Sequence, residues 1–180
     1  MRVVIINGAA GSGKDQFVQF CKELLDTKAD VYPCCLNVST VDYVKEIAGY
    51  CGWRGEKDPA SRKFLSDLKK AMTEWRDLPV IDIKGQLNRF SQICKWSGVE
   101  DAVAFVHCRE PEEIARLVKE LNATTLLVRR ESAESVQQIN DSDNNVLNYD
   151  YDYIVRNEGT LEDLKKSAQV FLRDCLKLDI

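Results

Sequence analysis

The chain has 180 residues, of which 44% are hydrophobic and 30% charged, and its formal net charge is −4. This composition is ordinary for one soluble globular domain, and the acidic net charge argues against a general nucleic-acid binder. No apolar run approaches the roughly 18 residues of a membrane span. The N-terminus leads directly into an apolar strand, so we expect no signal peptide. Seven scattered cysteines without a CxxC pair favour thiols in a reducing cytosol, so we expect a cytoplasmic protein.

The first predicted element is a buried strand over Arg2–Asn7, and the glycine-rich stretch Gly8–Asp15 follows it. An amphipathic helix then runs to about Asp26. Strand, loop and helix in this order are the context of a P-loop, in which backbone amides and the helix dipole bind phosphate. The alternative is a glycine-rich turn before a helix. The residues that we expect to hold the nucleotide here are Gly8, Gly11, Ser12, Gly13, Lys14, Asp15 and Gln16.

Two residues at the end of this loop define its chemistry. Lys14 supplies a positive charge for the β and γ phosphates of ATP. Asp15 stands where the motif usually has Ser or Thr, whose hydroxyl binds Mg²⁺. A carboxylate is also a hard oxygen ligand, so we expect Asp15 to hold Mg²⁺ directly or through a water.

A second strand is predicted near 34–38, and a capping-box spacing at 39–42 predicts a helix from there to about Tyr50. Asp58 and Pro59 then predict the N-cap and first residue of a helix that ends near Arg76. Helical spacing places Phe64, Leu65, Leu68, Met72 and Trp75 on a predicted core face. The opposite stripe carries Arg62, Ser66, Lys69, Thr73 and Arg76. The stretch from Pro79 to about Trp96 is predicted as helix, although 80–83 is also compatible with a strand.

The second half of the chain alternates strands and helices in the same way. Strands are predicted at 102–106, 124–128 and 151–155, and Glu110–Glu113 opens a helix with negative charge at its N-terminus. Residues 129–150 are polar without clear periodicity and suggest a mobile lid. Thr160 is predicted to cap a last helix, whose apolar face is Leu161, Leu164, Ala168, Phe171, Leu172 and Cys175.

This order of elements predicts the fold class. Alternating strands and helices favour an α/β protein with a five-stranded parallel sheet and helices on both faces. We expect a single three-layer P-loop kinase domain over 1–180. Within it, an acceptor-binding helical segment spans about 40–97 and a lid-like loop about 129–150.

Two segments carry a resemblance to known families. The Lys14–Asp15 ending of the P-loop, together with the stretch 152–161, resembles the phage deoxynucleoside monophosphate kinases. The GKD ending is also similar to that of animal-type phosphomevalonate kinases, and the Asn-x-Gly-Thr segment to that of dephospho-CoA kinase. The resemblance implies that Asn157 and Gly159 border the adenine of ATP. The alternative is a strand-to-helix turn that needs Gly159 as its hinge.

Kinase chemistry requires positive charge around the transferred phosphoryl group. Arg109 follows the third strand, where the carboxyl ends of parallel strands face the ligand crevice, so we expect it to bind phosphate rather than form a surface salt bridge. Arg129 and Arg130 follow the fourth strand, and one of them, Arg130 in our assignment, is expected to close over the phosphates as a catalytic residue with Lys14 and Arg109. The third strand ends in His107 rather than in an aspartate. We interpret His107 as a hydrogen-bonded strand-end residue, with a catalytic base as the alternative.

The acceptor site is expected between the first and third strands in sequence. The resemblance places Arg62 where related nucleotide kinases bind the acceptor monophosphate, although a basic stripe on a helix is also typical of solvated surface. Lys69 lies on the same stripe, and Trp53 offers a ring on which a base could stack, or else is a partly buried turn residue. Arg62, Trp53, Lys69 and Arg109 are therefore the predicted substrate-binding residues.

The sequence thus predicts an ATP- and Mg²⁺-dependent phosphotransferase, with a nucleoside or deoxynucleoside monophosphate as the leading acceptor. The alternatives are a kinase of a non-nucleotide acceptor, similar to phosphomevalonate or dephospho-CoA, and a nucleotide-binding regulatory module with little catalysis. The partner in either kinase is a small molecule, not a nucleic acid or a membrane. The sequence leaves the acceptor and the oligomeric state open.

Overall fold

The structure is a computed structural model that describes residues 1–27, 34–136 and 145–179. In chain order, its elements are β1 (Arg2–Asn7), α1 (Lys14–Asp26), β2 (Cys35–Ser39), α2 (Asp42–Tyr50), α3 (Pro59–Arg76), α4 (Leu78–Ser97), β3 (Val103–His107), α5 (Pro111–Leu121), β4 (Thr124–Arg129), α6 (Glu131–Val136), a 3₁₀ turn (Asn145–Leu147), β5 (Tyr153–Arg156), α7 (Leu161–Val170) and a π-helical turn (Phe171–Cys175). None of the helices in these ranges has the length and apolarity needed to cross a bilayer.

The five strands form one parallel sheet in the order β2-β3-β1-β4-β5. The central strand β1 pairs with β3 on one side and β4 on the other, so that Ile6 lies opposite His107 and Asn7 opposite Leu127. This register brings the carboxyl ends of β1, β2 and β3 to the same edge of the sheet. The predicted fold class, a three-layer α/β P-loop fold, is confirmed.

Each face of the sheet is covered by its own hydrophobic core, because successive strand residues point to opposite sides. Ile6 and Phe105 pack with α1 and α7, whereas Ile5 and Ala104 pack with α4 and α5. All four side chains are fully buried. At roughly 25 cal/mol per Å² of buried apolar surface, these two layers are the main stabilising contribution to the fold.

The helix α3 departs from the predicted burial. Of its predicted core face only Met72 is buried, while Phe64 is 38% and Trp75 73% exposed. Leu65 and Leu68 are half-buried. The prediction that this whole stripe belongs to the core was wrong, because α3 packs chiefly beside α2 and α4. In α7, Leu161 was likewise predicted to be buried but is 67% exposed at the first helical position.

Several boundaries also differ from the sequence prediction. The helix predicted from residue 39 begins at Asp42, whose carboxylate accepts a 2.7 Å hydrogen bond from the Ser39 amide, so only half of the expected capping box forms. The segment 80–83 is helical within α4. The last strand begins at Tyr153 and not at 151. Of the predicted lid over 129–150, residues 137–144 lie outside the described residues, and 131–136 form α6.

Candidate functional site

The loop between β1 and α1 has the backbone of a phosphate-binding turn. Gly11 and Gly13 take left-handed φ values of 80° and 90°, which glycine adopts without the steric penalty of a Cβ. The Ser12 amide donates to the Ala9 carbonyl at 3.1 Å, and Gly13 is the N-cap of α1. The loop therefore ends at a helix N-terminus, where the first amides and the helix dipole attract an anion.

The predicted nucleotide-binding residue Asn157 contacts this loop directly. Its side-chain amide donates to the Ser12 carbonyl at 2.9 Å, and its backbone amide donates to the Arg129 carbonyl at 2.8 Å. A Cβ at Gly13 would collide with the Asn157 side chain. Gly159 does not have a left-handed φ; instead, a Cβ there would lie 2.6 Å from an Asp163 carboxylate oxygen. The loop after β5 is thus joined to the P-loop.

The Ser12 hydroxyl provides a test of whether this loop fits a phosphate. The Ser12 side chain is completely buried, and its oxygen has no hydrogen-bond partner among the described residues. A buried hydroxyl without a partner is costly, and a bound phosphate oxygen would accept its hydrogen. The loop therefore fits a phosphate group both by its backbone conformation and by the hydrogen-bond donor that the Ser12 hydroxyl supplies.

A cleft of about 560 Å³ opens at the carboxyl ends of β1, β2 and β3, beside the P-loop. It is the crevice in which open parallel sheets bind their ligands. Its lining contains four cations, Lys14, Lys45, Lys69 and Arg109, and three carboxylates, Asp15, Asp42 and Glu110. The other polar side chains of the lining are those of Asn7, Asn37, Ser39, Thr40, Ser66, His107 and Cys108.

His107 stands between the P-loop and β2. Its Nε2 lies 2.8 Å from the Asn37 Oδ1, and its Nδ1 lies 3.8 Å from an Asp15 carboxylate oxygen. Burial lowers the pKa of His107, an effect that the Asp15 carboxylate opposes and the Lys14 ammonium adds to. The expected hydrogen-bonded strand-end histidine is confirmed.

The described residues contain no group of three or more His, Cys, Asp and Glu side chains that could hold a metal ion. Asp15 is the carboxylate on the P-loop, and its side chain is 82% exposed. Mg²⁺ commonly binds through one or two carboxylates and completes its shell with waters and substrate phosphates. One exposed carboxylate beside a phosphate-binding loop fits that mode, and Asp15 would hold the ion together with a nucleotide.

Asn7 joins the parts of the site that the sequence places far apart. It is 1% exposed at the end of β1, and its Oδ1 accepts from the Gly8 amide at 2.8 Å. Its Nδ2 donates to the Tyr151 hydroxyl at 2.7 Å and to the Arg109 carbonyl at 3.3 Å. The Tyr151 hydroxyl in turn donates to the Val146 carbonyl at 3.0 Å. These bonds fix the P-loop relative to the backbone that carries Arg109.

A second network lies where α3 meets α5. Lys69 contacts the Glu113 carboxylate at 2.7 Å, and the same carboxylate oxygen accepts from the Cys108 thiol at 3.1 Å and from the Thr40 hydroxyl at 3.4 Å. The Lys69 and Glu113 side chains are 22% and 11% exposed. This ion pair is therefore partly desolvated. Lys69 lines the cleft, whereas Glu113 is not a lining residue and contacts Lys69 from α5.

The structure brings only some of the predicted site residues together. Lys14, Asp15, Lys69 and Arg109 line the cleft. Trp53, whose indole donates to the Glu56 carbonyl at 3.2 Å, is not among the lining residues. Arg62 and Arg130 are exposed and lie outside the lining as well.

Arg130 nevertheless precedes a helix that approaches the P-loop. A Cβ at Gly11 would stand 3.8 Å from the Cβ of Ala133 on α6. The Glu131 amide at the start of α6 donates to the Glu158 carboxylate at 2.8 Å. The strand end, α6 and the loop after β5 are thus held together beside the nucleotide loop.

Several cleft residues were missed by the sequence analysis. Asn7 and Asn37 lie at or near the carboxyl ends of β1 and β2, and Thr40 follows β2. The rule that selected Arg109 selects them too, because all lie at, near or just beyond the carboxyl ends of parallel strands of one sheet. Lys45 carries no such signal, since its position depends on how α2 packs. The same holds for Glu113 on α5, which is not a lining residue but contacts Lys69 in the lining.

A scan against protein-family models gave no match, and neither did a search of curated proteins. Among solved structures, the chain is similar to the shikimate kinase of Aquifex aeolicus vf5, with a TM-score of 0.43 and 14% identity over 99% of this chain and 100% of that one. It is also similar to the shikimate kinase of Bacteroides thetaiotaomicron, with a TM-score of 0.46 and 14% identity over 98% of this chain and 99% of that one. The P-loop fold itself is evident from the sheet order and the loop geometry described above.

Proposed function

We propose that this protein is a P-loop kinase that transfers the γ-phosphoryl group of ATP to a phosphorylated small molecule. One observation carries the proposal: the P-loop residues Lys14 and Asp15 share a single cleft with Lys69 and Arg109 from other elements. A phosphoryl transfer between two phosphates needs cations on both sides of the moving group and little covalent chemistry from the protein. The cleft supplies that charge.

In this mechanism the P-loop amides and Lys14 bind the β and γ phosphates, and Arg109 holds the acceptor phosphate. An anionic oxygen of the acceptor attacks the γ phosphorus in line, the bond to the β–γ bridging oxygen breaks, and ADP leaves. Mg²⁺, held through Asp15, would neutralise phosphate charge. No general base is required, because the attacking oxygen is already ionised. The mechanism therefore gives His107 no proton to accept, which is consistent with its hydrogen bond to Asn37.

The helices α2 and α3 form the acceptor side in this proposal. They contribute Lys45, Ser66 and Lys69 to the cleft, which supports the expected acceptor-binding segment at about 40–97. The expected lid is supported in part by α6 beside Gly11. Its centre lies outside the described residues, and a closing role for Arg130 remains a prediction.

Nucleoside and deoxynucleoside monophosphates are the first acceptors to test. A specific observation also favours the non-nucleotide candidates, which resemble phosphomevalonate or dephospho-CoA. None of the described residues that line the cleft is Phe, Tyr or Trp, and Trp53 is outside it. The His107 ring does line the cleft, but it is hydrogen-bonded to Asn37. A nucleobase would therefore bind there without the large ring of a Phe, Tyr or Trp to stack on.

The test measures ATP consumption with Mg²⁺ against all ribo- and deoxynucleoside monophosphates, phosphomevalonate and dephospho-CoA. We expect one acceptor or a small group to be phosphorylated. Lys14→Met should abolish turnover, by at least about a thousandfold, because the P-loop lysine stabilises charge that develops in the transition state. Its melting temperature should stay close to that of the wild type.

The matched control is Lys22→Met, which removes an exposed lysine from the same helix outside the cleft. It should keep full activity. Retained activity in Lys14→Met would contradict the kinase assignment. ATP binding without any phosphorylated product would instead favour the nucleotide-binding regulatory module.

A further inference from the structure

Glu113 occupies a position that its sequence context does not explain. As the third residue of α5 it was expected only to place negative charge at a helix N-terminus. Its side chain instead reaches the wall of the cleft, where one carboxylate oxygen accepts from Lys69, Cys108 and Thr40. Those three residues all line the cleft, whereas Glu113 is not itself a lining residue.

The three contacts fix the carboxylate in one place. Cys108 follows β3 and is 2% exposed, and Thr40 follows β2 and is also 2% exposed. Burial, together with the neighbouring Glu113 carboxylate, raises the pKa of the Cys108 thiol, so the sulfur remains a protonated donor. Two buried donors on the rigid end of the sheet thus hold the oxygen that contacts Lys69.

This arrangement restricts the conformations of the Lys69 side chain. A lysine side chain has many rotamers, and a free one loses much conformational entropy when a ligand orders it. The 2.7 Å contact with Glu113 and the 3.4 Å contact with the Thr40 hydroxyl restrict the ammonium before any ligand arrives. Preorganisation of this kind increases affinity without adding a contact to the ligand.

We propose that Glu113 is a positioning residue for the acceptor: it holds the Lys69 ammonium in the cleft, where Lys69 binds an anionic group of the acceptor. The acceptor role rests on the proposed kinase function. The orientation of Lys69 by Glu113 does not, and the experiment separates the two.

A matched control lies one helical turn further along α5. Arg116 makes a bidentate ion pair with Asp77, at 2.9 and 3.0 Å, where α3 ends and α4 begins. This pair also ties α5 to α3, but neither residue lines the cleft. Arg116→Gln therefore removes a similar tie between the same helices without changing the surroundings of Lys69.

The first measurement needs no acceptor. Lysines are acetylated with a limiting N-hydroxysuccinimide ester, and the rates at Lys69 and Lys70 are compared by peptide mass spectrometry. Lys70, 75% exposed on the same helix, is the internal reference. We expect Lys69 to react about tenfold more slowly than Lys70 in the wild type, as a charge-assisted ion pair implies. Glu113→Gln should remove most of this difference, and Arg116→Gln should keep it.

Inorganic phosphate is the probe for anion binding at the same site. It should slow acetylation of Lys69 further in the wild type and much less in Glu113→Gln. Equal rates for Lys69 and Lys70 in the wild type, equal protection by phosphate in both proteins, or the same change in Arg116→Gln would each overturn the proposal.

Steady-state kinetics, with whichever of the tested acceptors is phosphorylated, give a second test of the positioning role of Glu113. Glu113→Gln should raise the acceptor KM about tenfold to a hundredfold with little change in kcat or in the KM for ATP. In a Lys69→Met background, Glu113→Gln should have no additional effect on the acceptor KM, because Glu113 acts through Lys69. A merely structural role would lower the melting temperature in both backgrounds and leave the acceptor KM unchanged, which would overturn the proposal.

Failure of the kinase function and failure of the positioning role of Glu113 give different experimental results. If the wild type phosphorylates no acceptor, the kinase function fails, while the acetylation rates still decide whether Glu113 holds Lys69. If an acceptor is phosphorylated but Glu113→Gln changes neither the Lys69 rate nor the acceptor KM, the kinase stands and the positioning role is wrong.

Discussion

Asn157 shows how one side chain can connect two ends of the chain at the nucleotide loop. It is 7% exposed and donates to the Ser12 carbonyl at 2.9 Å, across the space that a Cβ at Gly13 would fill. The P-loop backbone therefore depends on Asn157 for part of its shape. The resemblance predicted Asn157 near the adenine, and the structure adds a contact with the phosphate-binding loop itself.

The first prediction concerns this contact. Asn157→Ala should weaken the binding of Mg²⁺ and ADP about tenfold, because loss of a buried hydrogen bond costs about 1–1.5 kcal/mol and leaves the Ser12 carbonyl without its donor. Isothermal titration calorimetry measures the Kd. Asn88→Ala, at an exposed position on α4, is the control. An unchanged Kd in Asn157→Ala would mean that the loop keeps its shape without this bond.

A second prediction concerns Tyr151, whose hydroxyl bonds to Asn7 and to the Val146 carbonyl. Burial raises the pKa of Tyr151 from its ordinary value of 10 to about 12, although the bond from Asn7 works in the opposite direction. Between those values the unfolded chain loses a proton that the folded protein keeps. The free energy of unfolding therefore falls as the pH rises through this window.

The measurement is urea denaturation at pH 9 and pH 11 for the wild type and Tyr151→Phe. The wild type should lose more stability than the variant over this interval, by on the order of 1 kcal/mol after discounting for solvent screening. At pH 9 the variant is the less stable protein, since it lacks the hydroxyl. Equal losses in the two proteins would show that Tyr151 ionises in the folded state as easily as in the unfolded state.

At the level of single residues, sequence reasoning identified the groups that a local motif or a strand end marks. Lys14 and Asp15 come from the P-loop spacing, and Arg109 follows from its position after β3. Glu113 was interpreted only as charge at a helix terminus, because nothing in the sequence shows that Lys69 would reach it. A contact between α3 and α5 depends on tertiary packing, which the residue pattern does not encode locally.

Local sequence decides where the last helix, α7, begins. Thr160 and Asp163 form a complete capping box: the Thr160 hydroxyl accepts from the Asp163 amide at 3.2 Å, and the Asp163 carboxylate accepts from the Thr160 amide at 2.9 Å. The predicted cap at Thr160 is confirmed. The loop that ends at this cap carries Asn157.

Thr160→Ala should lower the free energy of unfolding by about 1 kcal/mol, because the first turn of α7 loses a side-chain acceptor. For a chain of this size the melting temperature should fall by about 2–4 °C. Thr160→Ser retains the oxygen and is the matched control, so it should stay within about 0.5 kcal/mol of the wild type. Calorimetry measures both. A Ser variant as unstable as the Ala variant would place the effect in packing of the Thr160 methyl group and not in the cap.

The elements of the sheet were predictable because both faces of each central strand are buried. β1 and β3 therefore appear as uninterrupted apolar runs bounded by polar residues. The burial of α3 was not predictable in the same way. An apolar stripe shows that a helix has two faces, but it does not show which neighbour covers one of them, and Trp75 is 73% exposed.

At the scale of the whole molecule, the nucleotide loop joins both halves of the fold. It begins at β1 in the middle of the sheet, continues into α1 on one face, and contacts Asn157 beyond β5. A ligand bound there contacts groups that are assembled only in the folded state. Its binding free energy therefore adds to the stability of the entire domain.

The last prediction follows from this coupling and from the Asp15 assignment. At a Mg²⁺–ADP concentration about 100 times the Kd, the free energy of unfolding should rise by about 2.7 kcal/mol, which corresponds to about 5–10 °C in melting temperature. Differential scanning calorimetry with and without EDTA separates the contribution of the metal.

If Asp15 holds Mg²⁺, EDTA should remove a substantial part of the shift in the wild type, and Asp15→Asn should show the smaller shift even with Mg²⁺ present. Because the Asp15 side chain is 82% exposed, Asp15→Asn should melt near the wild-type temperature without ligand. An Asp15→Asn protein that keeps the full Mg²⁺-dependent shift would assign the ion to the nucleotide phosphates alone.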